Sequence, residues 1–257
     1  MRFPQYLVKA RAIAHEDGVL ALLVRFCAWC VRPLKKPLVR LMAPFVAARI
    51  RRFRNANGAQ LLSFLNDRFL GIVRPLQVPS EILHLVALVE RARPKVVVEI
   101  GTASGGVLCL LARAAPEDAT IISVDIPEDR GGYPHWRQRL YRAFGRGRQS
   151  MYLVKGDSHM GSTLTRVKEI LSGKAIDFLF VDGDHTYVGV RQDFNMYGPL
   201  VRKDGLVAFH DVAFHPYAGP ACEVDRFWNE IKAAYEHEEF IENPKQGWAG
   251  IGVLTQK

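Results

Sequence analysis

One glycine-rich turn carries the most informative chemistry of the chain. It lies in segment 96–106, Val-Val-Val-Glu-Ile-Gly-Thr-Ala-Ser-Gly-Gly, where an apolar β-type run meets a turn and then an apolar helical run. A strand, a tight turn and a helix N-terminus in this order allow the backbone to approach a nucleoside-bearing ligand. A dinucleotide fingerprint would require a glycine where Glu99 stands, because a carboxylate there would repel the pyrophosphate. Glu99 therefore favours a cationic ligand and disfavours a dinucleotide oxidoreductase.

Four further apolar runs also end in residues that could bind a ligand. Their closing residues are Asp125 in 120–125, Asp157 and Ser158 after 151–155, Asp182 and His185 after 176–181, and His210 and Asp211 at the end of 205–210. An acid that ends the second run could accept both ribose hydroxyls, and one that ends the third could accept an adenine amino group. Each aspartate taken alone could instead cap a helix or favour a turn. Because all five runs end in such chemistry, one shared ligand-binding rim is the better interpretation.

Helical patterns separate these runs, and the alternation indicates the fold class. The strands are predicted at 95–100, 120–125, 151–155, 176–181 and 205–210, and the helices near 106–114, 136–144, 160–172 and 186–200. A preceding helix is predicted to have Ser80 as its N-cap and to end before Pro94. An amphipathic helix with apolar residues at 224, 227, 228 and 231 and a strand over 250–254 close the chain. Such alternation forms a parallel sheet covered on both faces, and ligands bind beyond the carboxyl ends of its strands.

Positive charge is concentrated in the N-terminal segment. The 257-residue chain has a net charge of +9, and residues 1–57 carry 12 lysines and arginines against 2 acids, whereas the rest carries 23 against 24. We predict a basic amphipathic helical extension at 1–57, a connecting segment at 58–78 and one α/β domain at 79–257. The extension fits either an interfacial helix pair on anionic lipid or an apolar face that docks on the domain or on a second subunit.

Cysteine use and the character of the N-terminal segment favour the cytoplasm. The four cysteines form no dense pattern, and the isolated C-x-x-C of Cys27 and Cys30 is more consistent with apolar packing than with zinc or redox chemistry. The apolar stretch 19–31 is shorter than the ~20 residues of a membrane span, and Glu16 and Asp17 disfavour a secretory signal. We predict a cytoplasmic protein, peripheral at the inner face of the membrane if the extension binds lipid.

These motifs together resemble those of class I S-adenosylmethionine-dependent methyltransferases over roughly residues 79–257. The resemblance rests on the segments 98–105, 123–125, 155–158 and 180–187. Segments 180–187 and 205–211 resemble the corresponding motifs of one branch of this family, the cephalosporin-hydroxylase-like proteins and macrolide-sugar O-methyltransferases. The resemblance implies a Rossmann-like, doubly wound sheet of seven strands whose last strand is antiparallel.

The resemblance also implies that S-adenosylmethionine (SAM) is the cofactor. A carboxylate at the first strand end would favour the ammonium group of its methionine portion. The expected cofactor-binding residues are Glu99, Gly101, Thr102, Ser104 and Gly105 for the methionine portion, Asp125 for the ribose, and Asp157 and Ser158 for the adenine.

Related metal-dependent members use acids after the fourth and fifth strands to hold Mg²⁺, which prefers oxygen ligands. The matching positions here are Asp182, His210 and Asp211. His210 departs from the acidic or amide residue of those relatives, and its imidazole points to Mn, Fe or Zn, or to no metal. His185 matches the histidine general base of the sugar methyltransferases in this branch, with Asp182 as its catalytic companion. The alternative is that His185 only begins a helix.

The resulting prediction is a SAM-dependent O-methyltransferase that acts on a hydroxyl of a glycan, glycolipid or secondary metabolite, with metal assistance. One alternative is a non-catalytic protein that binds SAM. Another is a nucleic-acid methyltransferase, which the near-neutral domain disfavours and the basic extension keeps open. The sequence leaves open the acceptor, the metal and whether the chain forms a homo-oligomer.

Overall fold

The computed structural model describes residues 37–53, 57–67, 71–216 and 222–257. The apolar stretch 19–31 and the C-x-x-C motif of Cys27 and Cys30 lie outside the described residues. The chain divides into two compact units, residues 1–43 and residues 44–257. In the first unit the described residues, 37–43, are helical. Within the described parts of the chain, no helix is both long enough and apolar enough to cross a membrane.

Helices and strands alternate along the described chain. The helices are α1 (37–52), α2 (Gly58–Asp67), α3 (Pro79–Ala92), α4 (Gly106–Ala114), α5 (Arg137–Arg142), α6 (Gly161–Leu171), α7 (Tyr187–Tyr197) and α8 (Val224–Ile231). The strands are β1 (Val96–Ile100), β2 (Thr120–Asp125), β3 (Ser150–Lys155), β4 (Ile176–Val181), β5 (Val201–His210), β6 (His237–Phe240) and β7 (Ile251–Thr255).

The seven strands form one sheet in the order β3-β2-β1-β4-β5-β7-β6. The neighbours from β3 to β5 pair in parallel, whereas β7 runs antiparallel to both β5 and β6. The predicted Rossmann-like sheet with an antiparallel last strand is therefore confirmed. The chain moves outward from β1 to β3 and then returns to β4 on the other side of β1. The strand order thus reverses between β1 and β4, and such a switch point opens a crevice for a ligand.

Apolar side chains hold the central strands and their covering helices together. All five residues of β1 are buried, and α4 is buried on nearly every side, as expected for a helix that is hydrophobic all round. On α8 the residues Val224, Phe227 and Trp228 are buried, which confirms the predicted amphipathic spacing. The core therefore fixes the carboxyl ends of β1 to β5 along one edge of the sheet.

Two elements were missed by the sequence analysis. Helix α2 lies in the segment predicted to be a connection, although Asn57 and Gln60 form a reciprocal capping box: Gln60 N–H donates to Asn57 Oδ1 at 2.9 Å and Asn57 N–H donates to Gln60 Oε1 at 3.3 Å. Strand β6 was not predicted because its sequence, His-Glu-Glu-Phe, is mostly polar and is exposed at the sheet edge. Cross-strand pairing with β7, rather than residue preference, forms it.

The assignment of Ser80 as a helix N-cap was wrong. Helix α3 begins at Pro79, with Val78 in extended conformation as its N-cap. Proline suits this first position because its missing N–H has no partner inside the helix. The hydroxyl of Ser80 donates instead to Glu242 Oε1 at 2.9 Å. It therefore connects α3 to the loop before β7.

Candidate active site

The turn after β1 is shaped by glycines that no other residue could replace without movement. Gly101 has a φ of +88°, and a Cβ placed on it would lie 2.0 Å from the carbonyl oxygen of Asp182. Gly105 has a φ of +79°, and its Cβ would lie 2.5 Å from the ring of Tyr141. The turn is thus wedged between the end of β4 and helix α5. Larger residues at these two positions would therefore collide with their neighbours.

Glu99 lies beneath this turn with none of its surface exposed. Neither carboxylate oxygen has a well-oriented hydrogen bond. Burial raises the pKa of the Glu99 carboxyl well above its ordinary value, and the charges of Asp182 and Asp125 add to the rise, which the hydroxyls of Thr102 and Ser123 oppose. Glu99 is therefore a buried acid that a nearby positive charge would stabilise in its ionised form.

A cavity of about 520 Å³ opens over the carboxyl ends of β1, β2, β3 and β4. Its lining includes Gly101, Asp125, Asp157 and Ser158, which are four of the predicted cofactor-binding residues. Asp125 is partly buried, and burial raises its pKa, although the nearby Lys155 charge opposes the shift. The structure thus brings the predicted ribose and adenine residues to one cavity.

Thr102 and Ser104 do not line the large cavity. The hydroxyl of Thr102 forms a hydrogen bond with that of Ser123, and the hydroxyl of Ser104 donates to the carbonyl oxygen of Arg74. Both residues instead line an adjoining cavity of about 280 Å³. The two cavities share Gly101, Asp182 and other residues of one wall. The predicted role of Thr102 and Ser104 in binding a cofactor stays a prediction.

Acids and histidines cluster where β4 and β5 end. His210 Nδ1 lies 3.1 Å from Asp182 Oδ1 and 3.4 Å from Asp211 Oδ1. Despite these short distances, neither ring nitrogen of His210 makes a well-oriented hydrogen bond, and the side chain is 8% exposed. One ligand atom from each of Asp182, His210 and Asp211 lies within 4.8 Å of the others. The three residues predicted to hold a metal therefore converge as a set of donors.

His185 joins the same cluster from the end of the loop between β4 and α7. Its Nδ1 lies 2.6 Å from Asp211 Oδ2. Hydrogen bonds to Asp211 and Cys222, together with nearby negative charge, raise the pKa of His185 to about 10. The same bond and the His210 side chain keep the pKa of the Asp211 carboxyl well below its ordinary value, against the effect of burial. His185 and Asp211 are thus a charged, hydrogen-bonded pair in the free protein.

Burial disfavours protonation of His210, yet the carboxylates around it reverse the balance. The charges of Asp182 and Asp211 raise the pKa of His210 well above its ordinary value. A proton on this ring is one way to compensate two close carboxylates, and a cation would be another.

Three further residues, Gln77, His215 and Trp248, complete the cluster, and nothing in the sequence indicated a role for Gln77 or Trp248. Gln77 Nε2 donates to Asp182 Oδ2 at 2.7 Å. His215 Nε2 lies 3.3 Å from Asp211 Oδ1 and accepts from the N–H of Ala249 at 3.1 Å. Trp248 is about half exposed and lines the smaller cavity. Gln77 stood in the predicted connecting segment, where one polar residue between apolar neighbours is a weak signal.

Residues 98–212 match the family model of a methyltransferase domain. Two curated proteins match by sequence: uncharacterized protein y4gI of Sinorhizobium fredii, 26% identical over 172 residues, and uncharacterized protein R132 of Acanthamoeba polyphaga mimivirus, 32% identical over 114 residues. The matches cover 65% and 44% of this chain. The chain spans only 18% and 50% of the length of these relatives.

Solved structures share the fold at low sequence identity. The O-methyltransferase of Bacillus cereus in complex with SAH aligns with a TM-score of 0.53 and 18% identity, over 82% of this chain and 96% of that one. The O-methyltransferase TomG of Streptomyces achromogenes, involved in tomaymycin synthesis and in complex with SAM, aligns with a TM-score of 0.50 and 19% identity, over 79% and 91%.

The domain match and the fold agree with each other. Residues 98–212 match the model of a methyltransferase domain, and the seven-stranded sheet with its antiparallel last strand is the sheet that the resemblance implied. The solved structures show a fold shared with O-methyltransferases.

Proposed function

We propose that this chain transfers a methyl group from SAM to a hydroxyl of a glycan, glycolipid or secondary metabolite. The observation that carries the proposal is a pair of adjoining cavities with His185 on their shared wall. The larger cavity suits a nucleoside, and the smaller one suits an acceptor. A hydroxyl that reaches the shared wall meets an imidazole already oriented by Asp211.

Two acids fit SAM: Asp125 in the lining of the larger cavity and Glu99, which is buried beneath the turn after β1. Both oxygens of Glu99 and the Oδ2 atom of Asp125 are buried acceptors without a well-oriented hydrogen bond. Buried acceptors of this kind are normally satisfied, so the site fits a ligand that brings donors and positive charge. Ribose hydroxyls are suitable donors for Asp125, and an ammonium group would favour the ionised form of Glu99. SAM, when bound, supplies a methyl group activated by a positively charged sulfur.

His185 is proposed as the general base. Asp211 holds its Nδ1 atom, so the other ring nitrogen is the one that takes the hydroxyl proton. The pKa of about 10 means that the imidazole is protonated at neutral pH in the free protein. The base must therefore lose that proton before it can act, and anything that neutralises Asp211 would help it.

Asp182, His210 and Asp211 are proposed to hold a divalent metal. Their donor atoms lie close together, and the ring nitrogens of His210 make no well-oriented hydrogen bond, so a shared cation would fit. The mixture of imidazole and carboxylates suits Mn, Fe or Zn better than Mg. A metal there would lower the pKa of an acceptor hydroxyl and would neutralise the Asp211 charge that raises the pKa of His185.

Calorimetric titration tests the cofactor and the metal together. The protein is titrated with SAM, SAH and NAD, with and without EDTA, and then assayed for methyl transfer to a panel of glycans and phenolic metabolites. We expect both sulfur cofactors to bind, NAD to fail, and turnover to fall after EDTA. Absence of binding by either sulfur cofactor contradicts the proposal. Binding without turnover on any acceptor favours the non-catalytic alternative.

The basic helical segment is proposed to bring the enzyme to an anionic membrane surface. Arg49, Arg51 and Arg52 are exposed on α1, and Phe45 on the same helix is 57% exposed. Exposed apolar and cationic residues on one helix suit an interfacial position.

Liposome flotation of the full chain tests whether this helix binds an anionic membrane. The triple change of these arginines to glutamate should abolish binding to anionic vesicles; equal flotation of both proteins contradicts it.

A further inference from the structure

The thiol of Cys222 lies beside the proposed base, in a position that the proposed function does not use. One ligand atom from each of His185, Asp211 and Cys222 lies within 4.8 Å of the others. Cys222 is a free, partly exposed cysteine whose thiol lies close to the His185 ring. The next residue, Glu223, donates its backbone N–H to the carbonyl oxygen of His185 at 2.8 Å. Backbone contact therefore keeps the thiol next to the imidazole.

This second donor group differs chemically from the Asp182 group. It offers one sulfur, one nitrogen and one oxygen, whereas Asp182, His210 and Asp211 offer one nitrogen and two carboxylates. Sulfur and imidazole ligands select zinc-like ions, and hard ions such as Mg²⁺ avoid them. The two groups also meet different atoms of Asp211. His210 lies near Oδ1, and His185 lies near Oδ2.

Three protein ligands with partial exposure resemble an open metal site. The side chains of His185 and Asp211 are 41% and 13% exposed and both line the smaller cavity, so an ion can reach them from there. A zinc site with three protein ligands keeps its fourth position for water or another ligand.

We propose that His185, Asp211 and Cys222 form a binding site for a thiophilic divalent cation such as Zn²⁺, separate from the Asp182 group. Binding forms bonds from the metal to the ring nitrogen, the carboxylate oxygen and the thiolate sulfur, and the thiol proton and any proton on the ligating nitrogen pass to solvent. If His185 is the base, as proposed above, the bound cation occupies it. Zinc-like ions then inhibit methyl transfer, while the ion at the Asp182 group supports it.

Cobalt substitution tests the site without any assay of activity. The full chain is freed of metal with EDTA, dialysed and titrated with Co²⁺, and the absorption from sulfur-to-cobalt charge transfer is recorded. We expect this absorption in the wild type, its loss in Cys222→Ser and its retention in Asp182→Asn. SAM binding and thermal melting of each variant check that the fold is intact.

Each other result overturns the proposal. Absence of the absorption from the wild type shows that no thiolate binds the ion. Its retention in Cys222→Ser places the thiolate at another cysteine, and its loss in Asp182→Asn shows that the two groups are one site. Because the measurement needs no acceptor, it stands even if the proposed methyl transfer fails.

Inhibition supplies the functional test once turnover is found. Zn²⁺ should inhibit the wild type, and the inhibitory concentration should rise more than ~10-fold in Cys222→Ser, each rate being compared with that variant's own rate without zinc. Equal inhibition of the two proteins overturns the link between this site and the base.

Discussion

The two halves of the strand-end rim use carboxylates in opposite ways. At the ends of β1 and β2, both oxygens of Glu99 and the Oδ2 atom of Asp125 are buried without a well-oriented hydrogen bond. Around β4 and β5 the acids are crowded among histidines, and Asp211 alone has three imidazoles within 3.4 Å. Isolated acceptors suit the donors of a ligand, whereas carboxylates among imidazoles suit proton transfer. We therefore propose that the first half binds the cofactor, and call it the binding half, and that the second half carries the reaction, and call it the reacting half.

Replacement of His185 by alanine makes the sharpest test of this division. We expect turnover to fall by ~10²–10⁴-fold, the usual contribution of a general base, while SAM affinity stays unchanged because the binding acids are untouched. Steady-state kinetics and calorimetry measure the two quantities. The matched control is His135→Ala, at an exposed position outside the cluster. Near-normal turnover with intact binding would show that His185 is not the base.

Asp125→Asn should produce the opposite pattern. A lost hydrogen bond to a charged acceptor costs about 1.5–3 kcal/mol, which corresponds to ~10–100-fold weaker SAM binding. Turnover at saturating SAM should be close to that of the wild type. Asp129→Asn on the following loop is exposed and removes the same charge, so it serves as the control. If turnover at saturation falls as far as affinity does, the two halves are not separable.

Gln77→Ala addresses the reacting half without removal of a charged group. Its Nε2 atom holds Asp182 Oδ2 at 2.7 Å, and loss of such a supporting bond lowers activity by ~10-fold. SAM affinity should not change. If the variant binds SAM more weakly but keeps its turnover rate, Gln77 and the Asp182 carboxylate belong to the binding half.

The smallest expected effect is a pH dependence of stability from the pair of His159 and Asp193. Asp193 is fully buried and its carboxylate lies 3.3 Å from His159 Nε2, which raises the pKa of His159 from 6.5 to about 9. A raised pKa stabilises the fold fully below pH 6.5, and that contribution is lost as the pH rises through about 9. We expect the melting temperature to fall over this interval.

The pH dependence can be separated from other titrations by a double change. His159→Gln with Asp193→Asn removes both charges and should flatten the melting curve between those pH values. His159 lines the larger cavity. The double variant therefore also shows whether a charged pair in the binding half contributes to the stability of the fold. A slope that survives in the double variant would assign the pH dependence to other groups.

The sequence predicted most of the central fold because the strands are apolar and their ends carry distinct chemistry. Strand β1 and helix α4 were found through runs in which nearly every residue is buried. Strand β6 was missed because its pairing with β7 is a tertiary property of an exposed, polar segment. Local preference does not contain that information.

The site was predictable where residues follow a strand and unpredictable where they come from elsewhere. Asp182, His210 and Asp211 converge because β4 and β5 are neighbours. Three residues reach the same region from elsewhere: Gln77 from the segment before α3, Cys222 from the segment before α8, and Trp248 from the loop before β7. Their positions depend on tertiary packing, which for Gln77 and Asp182 joins residues 105 positions apart.

The contact between Gly101 and the Asp182 carbonyl sets a limit for engineering. A Cβ on Gly101 would lie 2.0 Å from that oxygen, so no larger side chain fits at Gly101 unless the end of β4 moves. Room for sulfonium analogues that carry an alkyl group larger than methyl must therefore come from other lining residues. Ile126 lines the larger cavity and is 36% exposed. Its truncation would widen the donor pocket and leave the junction with the reacting residues in place.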